Sequence, residues 1–276
     1  MSANSDFQQV NELKGLRGFS NLFHKENKAW WGTHRWWINT LLWTVLLCGL
    51  MAIMLFAPNE EANQASASEI LQAGGATAYI LSLALSVFFE FGGPMLAIGT
   101  VIQAQDLIIG EKQNGLIEWL LSKPLTRRAY ILAKVAANAP ALLVLFVGLP
   151  ATVAYGLLSL RTGAPYPLLS FMFAVAILTA HTFFYLTLTL MLGTLFNNRG
   201  PILGIALGSV LGGGLMGGFI KPLFSVTPWI LPKVAWMITT GQAVPAEIVF
   251  APLVATLLWS LVFIFVALVK FEKMEF

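Results

Sequence analysis

Charge is scarce in this 276-residue chain: Asp, Glu, Lys and Arg together make up 11% of it, against 57% hydrophobic residues and a mean hydropathy of +0.76. A soluble domain of this length carries about a quarter charged residues. Too little polar surface is present to cover a water-exposed globule, so lipid must form part of the solvent. Cysteine is nearly absent. The single thiol, Cys48, lies in an apolar run, which excludes an intrachain disulfide, a CxxC pair and a cysteine zinc-ligand set. Only three histidines occur, and His181 stands far from His24 and His34, so no metal triad is expected. A phosphate-cradling loop is also missing. Gly110 and Gly115 have the glycine spacing of G-x-x-x-x-G-K-[ST], but Leu116 and Ile117 follow where Lys and Ser/Thr are required. No Ser/His/Asp or Cys/His arrangement converges on one side of the membrane, and no basic-aromatic nucleic-acid patch occurs. A cleavable signal peptide is not visible in the polar first 35 residues, so the first apolar run is expected to serve as a retained insertion signal.

What is present is a series of apolar runs long enough to cross a bilayer, which takes about 20 residues. They cover 36–56, 76–104 (expected to break near Gly92-Gly93-Pro94), 130–158 (with Pro140 and Pro150), 168–196, 201–220 and 246–269 (with Pro252). Helix is the default, because an open sheet edge cannot be satisfied in hydrocarbon. The expected fold is therefore an all-α membrane protein with six transmembrane helices.

The basic residues orient it. Lys14, Arg17, Lys25, Lys28 and Arg35 precede the first run. Lys112, Lys123, Arg127, Arg128 and Lys134 follow the second, Arg199 follows the fourth, and Lys270 and Lys273 close the chain. These 13 fall on one side of a six-span arrangement, and Arg161, Lys221 and Lys233, the other 3, on the opposite side. The positive-inside bias puts both termini in the cytoplasm.

Two domains are expected: an N-terminal arm, 1–35, and a six-span body, 36–276. Within the arm, Phe19, Leu22, Phe23 and Trp30 fall near one helical face, with Lys25, Glu26 and Lys28 off that stripe. Trp31, Trp36 and Trp37 follow, so the arm reads as an amphipathic helix lying at the cytoplasmic interface. The first external loop, 58–75, has Glu60, Glu61 and Glu69 without Lys or Arg and reads as a short polar connection with one helical turn. The segment 221–245 is too apolar for an ordinary loop, yet Pro222, Pro228, Pro232 and Pro245 interrupt it. It is expected to form a re-entrant or interfacial external hairpin.

Three constellations could carry function. In the loop 105–129, an apolar cluster (Leu116, Ile117, Trp119, Leu120, Leu121) adjoins Glu111 and Glu118. These glutamates are seven apart and are expected on one helical face. Pro124 stops the helix and Thr126 is placed to cap the next one. Such a helix can dock another protein or rest on the bilayer, and residue chemistry alone leaves both open. Glu90, in the middle of the second run, is costly in hydrocarbon unless paired, protonated or facing a cavity. It reads either as a pathway residue or as a structural hydrogen-bonding group, and His181 poses the same choice. Gly204, Gly208 and Gly212 recur every fourth residue in the fifth run, a pattern for close packing within the chain or at a dimer or pathway surface.

The loop resembles the signature of type-2 ATP-binding-cassette exporter permeases, roughly E-[RK]-x-x-G-T-x-E-x-L-L-x-x-P-x-x-R. Glu111, Lys112, Gly115, Glu118, Leu120, Leu121, Pro124 and Arg127 match in register, and Lys134 follows seven residues later. Leu116 replaces the usual Thr. The topology also matches over nearly the whole chain.

The resemblance implies the permease subunit of an ATP-driven exporter, dimerising with a second copy or a homologous permease and binding two nucleotide-binding ATPase subunits. The loop would be the coupling helix, with Glu111, Gly115, Glu118, Trp119, Pro124 and Arg127 as coupling residues. The resemblance also favours the pathway or dimer surface for Gly204, Gly208 and Gly212, while Glu90 stays a pathway candidate on its own chemistry. ATP and magnesium would sit on the partner, with no cofactor on this chain, and the cargo would be hydrophobic or amphipathic. Two other classes stay open: a force-transmitting membrane subunit that moves no solute, and an intramembrane enzyme using Glu90 or His181.

Overall fold

The computed structural model describes residues 15–57, 66–216 and 225–274. The first half of the 58–75 loop, the end of the fifth run with Gly217 and Gly218, and the start of the 221–245 hairpin with Lys221 and Pro222 lie outside the described residues. Among those described, the chain is helical and contains no strand.

The helices are α1 (Phe19–Trp31), α2 (Arg35–Phe56), α3 (Ala67–Gln72), α4 (Ala76–Gln113), α5 (Leu116–Leu121), α6 (Arg127–Thr162), α7 (Leu168–Leu195), α8 (Arg199–Met216), α9 (Leu231–Thr239) and α10 (Ala246–Glu272). Five of them, α2, α4, α6, α7 and α10, are long and apolar enough to cross a membrane. α7 is the central one. It packs on α4, α9 and α10, and its buried side chains run from Phe171 to Thr194. The outer helices instead show bands of exposed Leu, Ile, Val and Phe, on α2 from Ile38 to Phe56 and on α10 from Ile248 to Phe265. Those bands face hydrocarbon in a membrane.

The second apolar run is not broken at Gly92-Gly93-Pro94. The helix continues, and Val87–Phe91 widens into a π turn in which the Gly92 N–H reaches the Val87 carbonyl. Pro94 has no N–H for the carbonyl four residues back, and the wider turn re-routes the ladder just before it. α6 repeats the device. Leu143–Gly148 is a π turn, with the Leu149 N–H on the Val144 carbonyl immediately before Pro150. The break expected at Pro94 is thus absorbed, as is Pro150 inside the third run.

α1 also departs from a simple interfacial helix. Leu22, Glu26 and Trp30, spaced by four, are its buried residues, and they pack on the first half of α6. Glu26, expected off the apolar stripe, is at its centre. Trp31, Trp36 and Trp37 remain exposed at the turn into α2.

At the end of the bundle opposite α5, α3 carries a complete capping box, with the Ser66 side chain on the Glu69 N–H and the Glu69 carboxylate on the Ser66 N–H. α9 has nine residues and so spans only about 14 Å, too short to cross a bilayer. Leu231, Pro232, Val234 and Ala235 bury it against the bundle. The Trp236 indole donates to the Ser82 carbonyl (2.9 Å) and the Tyr166 hydroxyl to the Thr239 carbonyl (2.6 Å).

Candidate functional site

The loop after α4 is an exposed ridge on a rigid base. Gly115 has φ +64 and starts α5 in the left-handed region, where a side chain costs roughly 1–2 kcal/mol. That turn separates Glu111 from Glu118. They do not share a face, because one helix ends before Gly115 and another begins after it. Glu111 turns inward and accepts from Lys25 Nζ (3.1 Å), Lys134 Nζ (3.2 Å) and the Tyr130 hydroxyl. Glu118 is exposed, on the rim of a cavity shared with Lys112, Gln113, Asn197 and Lys270.

α5 divides in the same way. Ile117 and Leu120 are buried in a cluster with Leu22, Tyr130 and Ile131. Trp119 is 55% exposed, with the Lys123 ammonium 3.6 Å from its ring centroid, a cation–π contact. Asn114, Gly115, Glu118, Trp119, Ser122 and Lys123 form the exposed ridge.

Beneath the ridge lies a network of alternating charge that sequence reasoning did not assemble. Lys134, 1% exposed, contacts Glu26 (3.0 Å) as well as Glu111. Asn138 donates to Glu26 (3.4 Å) and accepts from the Trp30 indole (2.7 Å). Lys25, Glu111, Lys134 and Glu26 thus join α4, α6 and α1. The signals in the sequence were the motif register of Glu111 and Lys134 and a charged residue midway between Leu22 and Trp30.

The loop is tied to other helix ends too. The Thr126 N–H bonds to the Arg17 carbonyl (3.0 Å), and its hydroxyl accepts from the Ala129 N–H, capping α6 as expected. Gly18, at φ +82, packs so closely on Pro124 and Leu125 that a Cβ would meet Leu125 at 2.8 Å. Arg127 does not lie on the ridge. Its guanidinium donates to the Glu272 and Met274 carbonyls, where a cation complements the negative end of α10. Arg128 reaches the Glu272 carboxylate (2.9 Å). Lys112 caps α7 through the Thr194 and Phe196 carbonyls (3.2 and 3.1 Å). Asp106 pairs with Arg199 (2.8 Å) at the start of α8.

A second constellation lies at the level of the α4 π turn. Glu90 and His181, singled out separately in the sequence, line one cavity of about 340 Å³ with Pro94, Tyr185, Val210, Leu211, Trp229, Pro232 and Lys233. α4, α7, α8, α9 and the turn before α9 supply its walls. His181 Nδ1 lies 3.1 Å from the Pro228 carbonyl. A carbonyl only accepts, so Nδ1 carries the proton there. Gly93 meets Pro232 with no room for a Cβ, and Gly213 meets Trp229 in the same way. In contrast, a Cβ at Gly204, Gly208 or Gly212 would find nothing within 4 Å. Among the described residues, that stripe meets no packing partner.

The profile of the ABC-2 family transporter proteins matches residues 20–276. The chain belongs to the ABC-2 family. No curated protein matches it significantly. An ABC-2 membrane protein is an integral membrane transport subunit, and the family works with ATP-binding subunits and often as dimers. The match begins inside α1 and ends at the last residue, so it takes in the ridge, the charged network and the cavity.

Proposed function

We propose that this ABC-2 protein is the permease subunit of an ATP-driven exporter in the cytoplasmic membrane. It would have six spans, with α8 completed beyond Met216 as the fifth, and both termini in the cytoplasm. α5 is its coupling helix, received by a cleft of a nucleotide-binding subunit, and ATP and magnesium belong to that subunit. A pair of such permeases, through α8, would carry two ATPases.

The observation that supports this best is the ridge. Trp119 stands exposed between Glu118 and Lys123 while Ile117 and Leu120 lock the same short helix to α1 and α6. An exposed Trp ringed by charge is the composition of a binding hot spot. A rigid base is what a lever needs if closure of the ATPases is to move spans. Ion pairs and caps link that base to α1, α6, α7, α8 and α10, so displacing α5 would displace them together. Glu118 and Trp119 would meet the partner, Gly115 would set the angle, and Pro124 would end the helix against Gly18. Glu111 and Arg127 would hold the ridge from behind. α9 is the inner arm of a re-entrant external hairpin. The cargo is hydrophobic or amphipathic.

In the assembled complex, Glu118→Arg or Trp119→Ala should weaken ATPase-subunit binding by roughly tenfold or more, since hot-spot truncations cost about 2 kcal/mol or more. Co-purification and cargo-stimulated ATPase activity measure this. Unchanged binding and unchanged stimulation in both variants would reject the assignment of the ridge.

A further inference from the structure

The Glu90 cavity contains more unmatched polar chemistry than a structural joint requires. His181 and Tyr185 are 2% and 0% exposed. His181 Nε2, the Tyr185 hydroxyl and the Trp229 indole N–H are all buried, and none closes a hydrogen bond within the described residues. Ser209 and Trp229 stand near the Tyr185 hydroxyl, and the Gly93 carbonyl near the His181 ring, without completing one. Buried polar groups are ordinarily satisfied, and three orphans around one cavity indicate a site whose partner comes from outside the chain. Two charges accompany them. Glu90 is half-buried on α4 and Lys233 exposed on α9. Both line the cavity, and Lys233 is the cation whose field reaches Glu90. Among the described residues they close no ion pair within 4 Å. Pro94, Val210, Leu211 and Pro232 supply apolar wall. The volume falls at the lower end of the range for small-molecule sites.

We infer that this cavity binds the head of a zwitterionic amphiphile, with a primary ammonium on Glu90 and its anionic group toward Lys233. The Trp229 N–H and Tyr185 hydroxyl donate to its oxygen atoms, and its apolar part runs along the Leu211 side. The zwitterion bridges a carboxylate and an ammonium that do not reach each other. An anion alone would leave Glu90 uncompensated, and a simple cation would leave Lys233 and the two donors unused. The same chemistry belongs to an aminophospholipid headgroup and to an apolar peptide with free termini. This deepens the permease reading by giving its pathway a cargo or lipid class, but the site can be tested without any ATPase.

The full chain in detergent is titrated with four probes: dioctanoyl phosphatidylethanolamine and its N-acetylated counterpart, and a six-residue apolar peptide with free termini and its N-acetylated form. The wild type should bind a free-amine probe about tenfold more tightly than its acetylated partner. Glu90→Gln, nearly isosteric, should abolish that preference. Lys233→Gln, at an exposed position, should keep the amine preference and weaken the affinity for both members of the pair several-fold. Amine preference with the lipid alone identifies a bilayer lipid as occupant, and preference with the peptide identifies a soluble amphiphile; either supports the site. No amine preference in the wild type, or an amine preference retained in Glu90→Gln, overturns the inference. Unchanged affinity in Lys233→Gln overturns the anionic pole. Loss of ATPase binding plays no part in these outcomes, so failure here and failure of the coupling assignment are distinguishable.

Discussion

Lys134 is the counterion of the buried Glu26 and shares Glu111 with Lys25. It is 1% exposed and contacts Glu26 at 3.0 Å and Glu111 at 3.2 Å. Breaking such a pair from one side costs about 3–5 kcal/mol, because the remaining charge keeps its desolvation penalty. Lys134→Met should therefore lower the thermal unfolding midpoint of the purified protein clearly. Adding Glu26→Gln should recover part of the loss, since one stranded charge is then neutral while Glu111 keeps Lys25 and Tyr130. A double variant no more stable than the single would contradict the alternating-charge account. The sequence marked Lys134 only through its register in the family motif, and Glu26 only as a charge off the apolar stripe of α1. A lone acid on a helix face reads as solvated until the opposing Lys is brought to it.

At the scale of elements, α5 is set by a backbone property and not by its side chains. Gly115 is the only residue between α4 and α5 with positive φ, and space around it is open, with nothing within 4 Å of a Cβ. Gly115→Ala thus tests conformation without a clash. It should cost roughly 1–2 kcal/mol locally, tilt α5, and reduce cargo-stimulated ATPase activity more than ATPase binding, both measurable in the reconstituted complex. Local signals predicted several elements well. Thr126 caps α6, and α5 ends before Pro124. Other elements differ from what their local signals suggest. Pro94 looks like a helix break, yet the π turn just upstream carries the helix through, as another does before Pro150. Glu111 and Glu118 look like one face until the Gly115 turn separates them. α1 reads as an amphipathic interfacial helix, and its Leu22–Glu26–Trp30 face packs on α6.

For the whole molecule, the glycines divide into two groups with opposite consequences. At Gly99 a Cβ would fall 2.0 Å from the Trp43 ring, and at Gly213 2.2 Å from Trp229, so these positions are contact points inside the chain. Gly204, Gly208 and Gly212 meet nothing. Gly99→Leu should destabilise the monomer through overpacking by about 1–3 kcal/mol or more. Gly208→Leu should leave the unfolding midpoint nearly unchanged while shifting a permease dimer toward monomer, read by mass photometry or crosslinking in membranes. Equal loss of stability in both variants would remove α8 as the pairing face.

Composition by itself determined the solvent, since 11% charged residues cannot cover a globule of this size in water. The apolar runs determined helices of membrane length, because hydrocarbon leaves no other way to satisfy the backbone. The local motif from Glu111 to Arg127 determined the family. Only the tertiary structure decided which polar residues meet, Lys134 with Glu26 across 108 residues of chain and Arg127 with the end of α10, and it gathered Glu90, His181 and Lys233 around one cavity without pairing the two charges. The physical reason is common to the two pairs. A charge in an apolar setting must find a partner, but its partner's distance along the chain is free, so composition signals the need while packing alone chooses the answer.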